Sequence, residues 1–178
     1  MTAAWRGLAG LALVVALAAA FQPAAVPAHA ETITVTSTAD GAPDGCDTNG
    51  CTLREAILDL GPAAGDTISF DIAGDGPHTI KPLTTLPAIA EATSVTINGF
   101  TQPGASESTA GPWEPTNADI RIILDGSEIP SSDPSGEFGL WVSAAGTTIK
   151  GLSIVNFADE GIKTGTFPSS VVIRGNYI

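Results

Sequence analysis

The stretch that decides the fold is Val95-Thr96-Ile97-Asn98-Gly99, a β-branched run that ends in a polar residue and a glycine. The same five-residue pattern recurs at 122–126, 147–151 and 171–175, so that its glycines lie 27, 25 and 24 residues apart. A second row, 139–142 and 161–164, repeats after 22 residues. Short strands that recur with a period in the low to middle twenties are typical of a solenoid.

The alignment extends on both sides of the pattern. Aliphatic residues follow three of the glycines at a fixed distance, and two apolar residues precede the first pattern by 27 places; these are Ile129, Ile154, Ile178, Ile68 and Phe70. Leucine-rich repeats share this period, but their Leu-x-x-Leu-x-Leu scaffold is absent. The sequence therefore predicts an all-β fold, a right-handed parallel β-helix whose coils stack at about 4.8 Å.

Alternation within each strand predicts which side chains face inward. The inward set is Val95, Ile97, Ile122, Leu124, Ile149, Val171 and Ile173, and the outward set is Thr96, Ile123, Thr148 and Val172. The glycine that ends each pattern is expected to turn a corner of the coil, because glycine adopts positive φ without a Cβ penalty.

One helix is predicted, over Thr52–Leu60. Thr52 and Glu55 fit a capping box, and Gly61-Pro62 is a helix stop signal. An apolar stripe runs along it at i, i+3, i+4 and i+7, formed by Leu53, Ala56, Ile57 and Leu60. Since the first coil of a solenoid has an unpaired edge, we expect this helix to cover it.

The amino terminus predicts export. A singly basic start at 1–6, an apolar run at 7–21 and the triplet Ala28-His29-Ala30 follow the order of a signal peptide, with cleavage after Ala30. The alternative, a membrane anchor, requires about 20 apolar residues and a basic flank. The expected divisions are therefore a signal peptide at 1–30, a capping segment at 31–61 and β-helix coils at 62–178, with no stable membrane span after cleavage.

The composition of the 148-residue mature chain limits its partners. It has six basic residues against nineteen acidic ones, a formal charge of −13, and the basic residues are scattered. This argues against nucleic acid as a partner. The acidic surface favours solubility, with calcium binding as the alternative. Cys46 and Cys51, separated by an Asn-Gly turn, are a disulfide candidate in an oxidising compartment.

The segment 33–57 carries a resemblance to a known family. Ile33-Thr34-Val35, Gly45-Cys46 and the motif Cys51-Thr52-Leu53-Arg54-Glu55-Ala56-Ile57 resemble the amino-terminal module of bacterial CSLREA-domain proteins, with Thr52 in place of the serine of the family name. Such proteins are secreted or surface proteins that continue into parallel β-helix repeats of the pectate-lyase-like architecture. Asp66–Asp71 and Thr96–Gly104 also resemble their β-helix segments. The resemblance implies a bacterial, secreted or cell-surface location and names no reaction.

Arg54 and Glu55, the charged centre of that motif, have two interpretations. They are either an active-site pair or structural groups, in which case Glu55 caps its own helix and Arg54 pairs with a carboxylate or with carbonyls of the first coil. The structural interpretation is favoured.

Enzymatic β-helices provide the alternative function. Their polysaccharide lyases use calcium with an Arg or Lys base, and their glycoside hydrolases use grouped carboxylates. The acidic pairs on offer, none in a recurring constellation, are Asp71 and Asp75, Asp119 and Asp125, and Asp159 and Glu160, with Lys150, Lys163 and Arg174 nearby in the repeat. Asp159 and Glu160 are the calcium candidates, although a turn before Gly161 is favoured. No other cofactor is predicted.

The remaining candidates are aromatic residues and one histidine. Trp113 is a candidate carbohydrate contact, and Trp141 lies in a predicted strand and is assigned either to a sugar-stacking surface or to the core. His78, the single mature histidine, lies in a Pro-flanked loop and offers no zinc cluster or catalytic triad.

The chain stops at Asn176-Tyr177-Ile178, within what resembles a further coil, so the sequence is expected to be the front part of a longer protein. The sequence as a whole favours a structural, adhesive or ligand-binding β-helix module whose partners are polysaccharides or cell-surface components. The alternative is a lyase or hydrolase whose site lies mainly beyond Ile178.

Overall fold

The structure is a computed structural model that describes residues 29–46, 50–61, 64–90, 94–165 and 170–178. Within these ranges it contains ten short strands and one α-helix. The elements are β1 (Thr32–Val35), α1 (Leu53–Leu58), β2 (Thr67–Phe70), β3 (His78–Ile80), β4 (Thr96–Asn98), β5 (Ile122–Asp125), β6 (Leu140–Val142), β7 (Thr148–Lys150), β8 (Leu152–Val155), β9 (Ile162–Thr164) and β10 (Val172–Arg174). The predicted all-β class is confirmed. The predicted signal peptide falls almost entirely on residues 1–28, outside the described ranges.

All the strand pairs are parallel, and they form three sheets. The first sheet has the order β1-β2-β4-β7-β10, the second β3-β5-β8, and the third β6-β9. A bridge between Ile89 and Val142 extends the third sheet, and one between Ser153 and Tyr177 extends the second. From β2 onward the chain therefore visits the first, second and third sheets in turn, three times over, and then returns to the first.

The core lies between the sheets and is aliphatic. Alternation within each strand turns one set of side chains inward, and this set is almost fully buried: Ile33, Val35, Ile68, Phe70, Ile80, Ile97, Ile122, Leu124, Leu140, Val142, Ile149, Leu152 and Ile154. On the last strand, β10, Val172 and Ile173 are each 44% exposed. The inward ladder is thus as predicted for the strands that have a neighbour on both sides.

The predicted alignment of 122–126 with the other three patterns is wrong. Strands β4, β7 and β10 do pair in the first sheet, with Ile97, Ile149 and Ile173 in register. Strand β5 instead lies in the second sheet, where Ile122 pairs with His78 and Leu152. The pattern recurs in two sheets because both corners are built alike, since Asn98 and Asp125 each accept a backbone hydrogen bond that begins a short 3-10 turn, Gly99–Thr101 or Gly126–Glu128.

Two other register predictions differ in outcome. The second row is confirmed, because β6 and β9 pair with Leu140 opposite Ile162, the predicted spacing of 22. The predicted offset of 27 between β2 and β4 is wrong by two residues, since Ile68 pairs with Ile97. The inward and outward faces are unaffected because the shift is an even number of residues.

The corner glycines serve two different needs. Gly151 and Gly175 have the predicted positive φ, 75° and 61°. Gly99 does not, and its requirement is space, because a Cβ at Gly99 would overlap the backbone carbonyl of Gly151 on the neighbouring strand. Position 99 therefore requires glycine because the two backbones approach closely at the corner, and not because of a left-handed conformation.

Helix α1 begins and is capped as predicted. Thr52 is the N-cap, and its side chain and that of Glu55 form both hydrogen bonds of a capping box. Leu53, Ala56 and Ile57 are buried in the core and Leu60 packs against it. The helix ends at Leu58, two residues before the predicted Leu60, with Asp59 as its C-cap. It contacts β1, the edge strand of the first sheet.

Candidate functional site

Arg54 holds the capping segment to the rest of the fold. Its Nε and Nη2 donate to the two carboxylate oxygens of Asp40 at 2.7 and 2.8 Å. Its Nη1 and Nη2 also donate to the backbone carbonyls of Thr85 and Thr84, at 3.1 and 2.8 Å. Asp40 accepts a further bond from the backbone N–H of Leu83 at 2.7 Å. The guanidinium therefore joins three separate stretches of chain, as the structural interpretation predicts.

The Arg54–Asp40 pair is shielded from solvent. The side chain of Arg54 is 12% exposed and that of Asp40 is 3% exposed. A buried pair of this kind is fixed in place, because separating it would leave a charge in a poorly solvated setting. Arg54 is thus not presented to solvent as a catalytic base would have to be.

Glu55 is a buried acceptor for three backbone N–H groups. Its Oε1 accepts from Asp44 and Gly45 at 2.9 and 3.1 Å, and its Oε2 accepts from Thr52 at 2.8 Å. The bond from Thr52 and then that from Asp44 lower the pKa of Glu55 to about 2, against the opposing effect of burial. A carboxyl group held ionised by structural bonds is unsuited to donate a proton as a general acid.

The two cysteines extend this capping network. Cys46 and Cys51 form a disulfide, as predicted. Cys51 also joins the loop to the end of β1, because its N–H donates to Thr36 Oγ1 and its carbonyl accepts from the N–H of Thr36, both at 2.9 Å. The intervening residues 47–49 lie outside the described ranges.

A cluster of opposite charges lies on the outer face of the first sheet. Lys150 of β7 and Arg174 of β10 are aligned in register. Both donate to Glu107 from the 101–119 loop, Lys150 Nζ to Oε1 at 2.7 Å and Arg174 Nη1 to Oε2 at 3.0 Å. These bonds, that of Lys150 first, lower the pKa of Glu107. Two of the three basic candidates for the lyase alternative are therefore paired with one and the same carboxylate.

The Asp119 and Asp125 candidates are engaged separately. Asp119 forms a two-point pair with Arg121, with Nε–Oδ1 and Nη2–Oδ2 distances of 2.7 and 2.8 Å, and this lowers the pKa of Asp119. Burial acts to raise the pKa of Asp125, but hydrogen bonds from Asn156 and Ser127 and the charge of Lys81 outweigh it and lower the pKa.

The calcium candidates Asp159 and Glu160 take part in a turn. Asp159 N donates to the carbonyl of Glu137 at 3.2 Å, and Asp159 Oδ2 accepts from the N–H of Glu137 at 3.3 Å. The carbonyl of Glu160 accepts from Gly139 N at 3.0 Å. In the described part of the chain, no three His, Cys, Asp or Glu side chains are grouped to hold a metal ion. Calcium binding stays a prediction.

Trp141 lies in strand β6 as predicted, but it is not part of the core. Its side chain points outward and is 36% exposed, between the buried Leu140 and Val142. The Phe138 ring meets it edge to face, with centroids 6.0 Å apart. Trp113 is 95% exposed on the 101–119 loop. The structure thus gives the two tryptophans different settings, one held by neighbours and one projecting into solvent.

His78 lies at the start of β3 and not in a loop. Its backbone N–H donates to the carbonyl of Arg121 at 2.7 Å. Its ring packs beside Gly74 and Gly76, and its buried Nε2 has no hydrogen-bond partner in the structure. This is a packing position beside a tight turn, and no carboxylate is hydrogen-bonded to the ring there.

Sequence reasoning missed two polar residues that hold neighbouring strands together. The buried Gln102 side chain accepts from Ile72 N at 2.9 Å and donates to Ile72 O at 2.8 Å. Thr101 Oγ1 accepts from Phe70 N at 2.7 Å. The signal that could have identified them is the position of Thr101-Gln102-Pro103 directly after a corner, where the strand ladder ends and backbone groups need other partners.

Comparison with protein-family models, with curated proteins and with solved structures gives no match for this chain. The described ranges contain no helix with the length and hydrophobicity that crossing a bilayer requires.

Proposed function

We propose that this chain is an exported, non-catalytic scaffold: a right-handed parallel β-helix of the CSLREA-domain type, displayed outside a bacterial cell in a structural, adhesive or ligand-binding role. The observation that carries the proposal is the repeated passage through three parallel sheets, with helix α1 and its Arg54 and Glu55 network beside the β1 end.

The order of the sheets supports the β-helix. A chain that returns to the same three sheets in the same order stacks one coil on the next, and each coil adds one strand to each sheet. Crossover connections between parallel strands are right-handed in about 98% of cases, which favours a right-handed coil. Stacked coils of short strands give a rigid rod whose sides are available for binding.

The capping segment supports an architectural role for the motif at 51–57. Arg54 bonds to Asp40 and to the carbonyls of 84–85. Glu55 accepts hydrogen bonds from the backbone of Asp44, Gly45 and Thr52. Helix α1 and the disulfide lie beside β1, the strand with a free edge. An exposed parallel edge invites pairing with other chains, so a segment that packs beside this edge limits such pairing.

The charges on the outer surface also favour a scaffold. Glycosidic bond cleavage by a hydrolase needs a carboxyl group with a raised pKa as its acid. Among the described residues, the carboxyl groups whose pKa clearly departs from the ordinary value all have it lowered, by cations or by hydrogen bonds from backbone N–H groups and side chains: Glu55, Glu107, Asp119, Asp125 and Asp133.

Export is supported by the apolar run at 7–21, which precedes a small-residue cleavage site, and by the disulfide. The test has two parts. The first expresses the full chain in a bacterium and sequences the amino terminus of the exported product, which should begin at Glu31. Val14→Arg together with Val15→Arg, which interrupts the apolar run, should retain the protein in the cytoplasm, whereas Thr2→Arg should not. Export of the double variant would contradict the proposal.

The second part measures turnover by the purified 31–178 protein on uronate and neutral polysaccharides, with and without calcium, by following unsaturated products and new reducing ends. No turnover is expected from protein that circular dichroism shows to be folded. Turnover that is lost in Asp125→Asn or Asp119→Asn would refute the scaffold and establish a lyase or a hydrolase by its product.

A further inference from the structure

The third sheet carries an aromatic surface on its outer face, formed by Phe138, Trp141 and Lys163. Trp141 of β6 and Lys163 of β9 are in register on neighbouring strands. The Lys163 Nζ lies 3.8 Å from the centroid of the Phe138 ring and 5.5 Å from that of Trp141. Phe138 is itself 5% exposed and meets Trp141 at an interplanar angle of 69°. Two neighbours thus fix the Trp141 ring while leaving it in solvent.

The chain segment next to Trp141 on the side away from Lys163 is the one that contains Ile89. Ile89 N donates to the Trp141 carbonyl at 2.8 Å, and the bridge aligns Ile89 with Val142. This register puts Ala88 next to Trp141 on that side. Because alanine has one methyl group, the residue next to Trp141 on this segment covers little of the indole.

Polar groups flank the aromatic surface at one end. Phe138 and Gly139 follow Glu137 directly, and the Glu137 backbone is hydrogen-bonded to Asp159 in both directions. Asp159 and Glu160 are exposed, and Glu137 is half-buried. The surface therefore combines an apolar ring with one ammonium donor and carboxylate acceptors.

This combination points to a pyranose ligand. The geometry points to a binding site for a neutral polysaccharide, with one sugar ring stacked on Trp141 and the hydroxyl groups of neighbouring sugars in the same chain bonded to the carboxylates at 137 and 159–160. A pyranose has an apolar C–H face and a polar rim, which matches a ring that is apolar in the centre and hydrogen-bonding at the edge. The inference rests on the proposed function in one respect, that the surface is displayed outside the cell.

The charge of the chain selects a neutral glycan over an acidic one. The net charge is −12, and Asp159 and Glu160 on the neighbouring stretch of chain are exposed carboxylates. Uronate or sulfated chains would be repelled, whereas hydroxyl groups donate to carboxylates without that cost. Lys163 is already placed over two rings, so it does not offset a second set of negative charges.

Trp141 is favoured over Trp113 as the sugar contact because it is pre-organised. Trp113 is 95% exposed, so binding would have to order both its side chain and its Pro- and Gly-rich loop. Ordering a side chain on binding weakens the affinity, and the Trp141 ring is already held in place by Phe138 and Lys163 in the free protein. The two tryptophans therefore form a matched pair for a test.

The experiment is affinity gel electrophoresis of the 31–178 protein, with xylan, galactomannan, mixed-linkage β-glucan, dextran or polygalacturonate cast in the gel. Retardation by at least one neutral polysaccharide and none by polygalacturonate is expected. Trp141→Ala should weaken the binding about tenfold or more, the equivalent of about 1.4 kcal/mol. Trp141→Phe should retain part of the affinity, and Trp113→Ala should change it less than about twofold. Circular dichroism of each variant establishes that it is folded.

Each other result overturns the inference. Binding that survives Trp141→Ala, binding lost in Trp113→Ala alone, preferential retardation by polygalacturonate, or no retardation by any neutral polysaccharide would each do so. These failures are distinct from failure of the proposed function, which turns on export and turnover: a protein that is exported and inactive but not retarded remains a scaffold without this site.

Discussion

Replacing Asp40 by Asn should lower the free energy of unfolding by about 3 kcal/mol. The Asp40 carboxylate is 3% exposed and accepts three bonds, two from Arg54 and one from the Leu83 backbone, all between 2.7 and 2.8 Å. The amide retains the shape but loses the charge, so the buried guanidinium is left without its counter-ion. Removing one partner of a buried ion pair costs about 3–5 kcal/mol, and the remaining bonds of Arg54 to Thr84 and Thr85 place this site at the lower end.

The assay is urea unfolding of the 31–178 protein, followed by circular dichroism at pH 7. With a urea dependence of about 2 kcal/mol per molar, the midpoint of Asp40→Asn should fall by roughly 1.5 M with an unchanged slope. Asp119→Asn is the matched control, because the Asp119–Arg121 pair has the same two-point geometry at the same distances. Its side chains are 45% and 29% exposed, so solvent screens the pair and its loss should move the midpoint only slightly.

The comparison isolates burial as the cause. If Asp40→Asn and Asp119→Asn shift the midpoint equally, or if Asp40→Asn shifts it by less than about 0.5 M, the capping segment is not held by this ion pair. The reasoning that assigns Arg54 to architecture would then be refuted.

Three further predictions concern other contacts. Glu55→Gln should destabilise the protein by about 2–3 kcal/mol above pH 4.5, as measured by urea unfolding. The stabilisation needs ionised Glu55, whose pKa is lowered in the folded protein, so the difference from wild type should vanish as pH falls from 4.5 to about 2. A pH-independent difference would disprove this. Gly99→Ala should lower the free energy of unfolding by about 1–3 kcal/mol in thermal unfolding, because its Cβ would overlap a neighbouring carbonyl. Gly111→Ala, where the Cβ would make only ordinary contacts, should be near neutral. Equal effects would count against close packing of backbones at the corner. Gln102→Met should lower the free energy of unfolding by about 2–4 kcal/mol in urea unfolding, because the N–H and the carbonyl of Ile72 both lose their hydrogen-bond partner. A decrease below about 1 kcal/mol would show that Gln102 is dispensable.

Features formed by residues close together in the sequence were predicted correctly. The capping box at Thr52 and Glu55 needs only a three-residue spacing, so it is visible without the fold. The disulfide between Cys46 and Cys51 is also local. The row of 139–142 and 161–164 repeats without an insertion between its members, and its register was predicted to the residue.

Assignment of strands to sheets failed where an insertion interrupts the period. The 101–119 loop lies between β4 and β5, so the next strand of the first sheet, β7, comes 52 residues after β4, with Thr96 paired to Thr148. The pattern at 122–126 lies about one period after 95–99 but belongs to the second sheet. It matches because the second sheet also ends its strand with a capping side chain and a glycine. A five-residue pattern specifies a corner but not which corner.

Long-range partners were beyond the reach of sequence reasoning. Arg54 was expected to pair with a carboxylate or with carbonyls. Its actual partners, Asp40, Thr84 and Thr85, depend on how chain segments 14 to 31 residues away pack against α1. The exposure of Trp141 likewise depends on the parity of β6, which places Leu140 and Val142 inward. All three residues of β6 are apolar, so alternation divides them into two sets without indicating which set faces the core.

The measurement that tests the proposed stacking of coils most directly is oxidative cross-linking of introduced cysteines in the 31–178 protein. Thr96 and Thr148 are in-register neighbours on β4 and β7, where adjacent strands lie about 4.8 Å apart, within the separation that a disulfide spans. Thr96→Cys with Thr148→Cys should therefore cross-link on oxidation, as detected by peptide mapping, while Thr96→Cys with Ile123→Cys, the pair that the simple 27-residue repeat would align, should not. Cross-linking of the second pair, or of neither, would contradict the arrangement of coils on which the proposed scaffold rests.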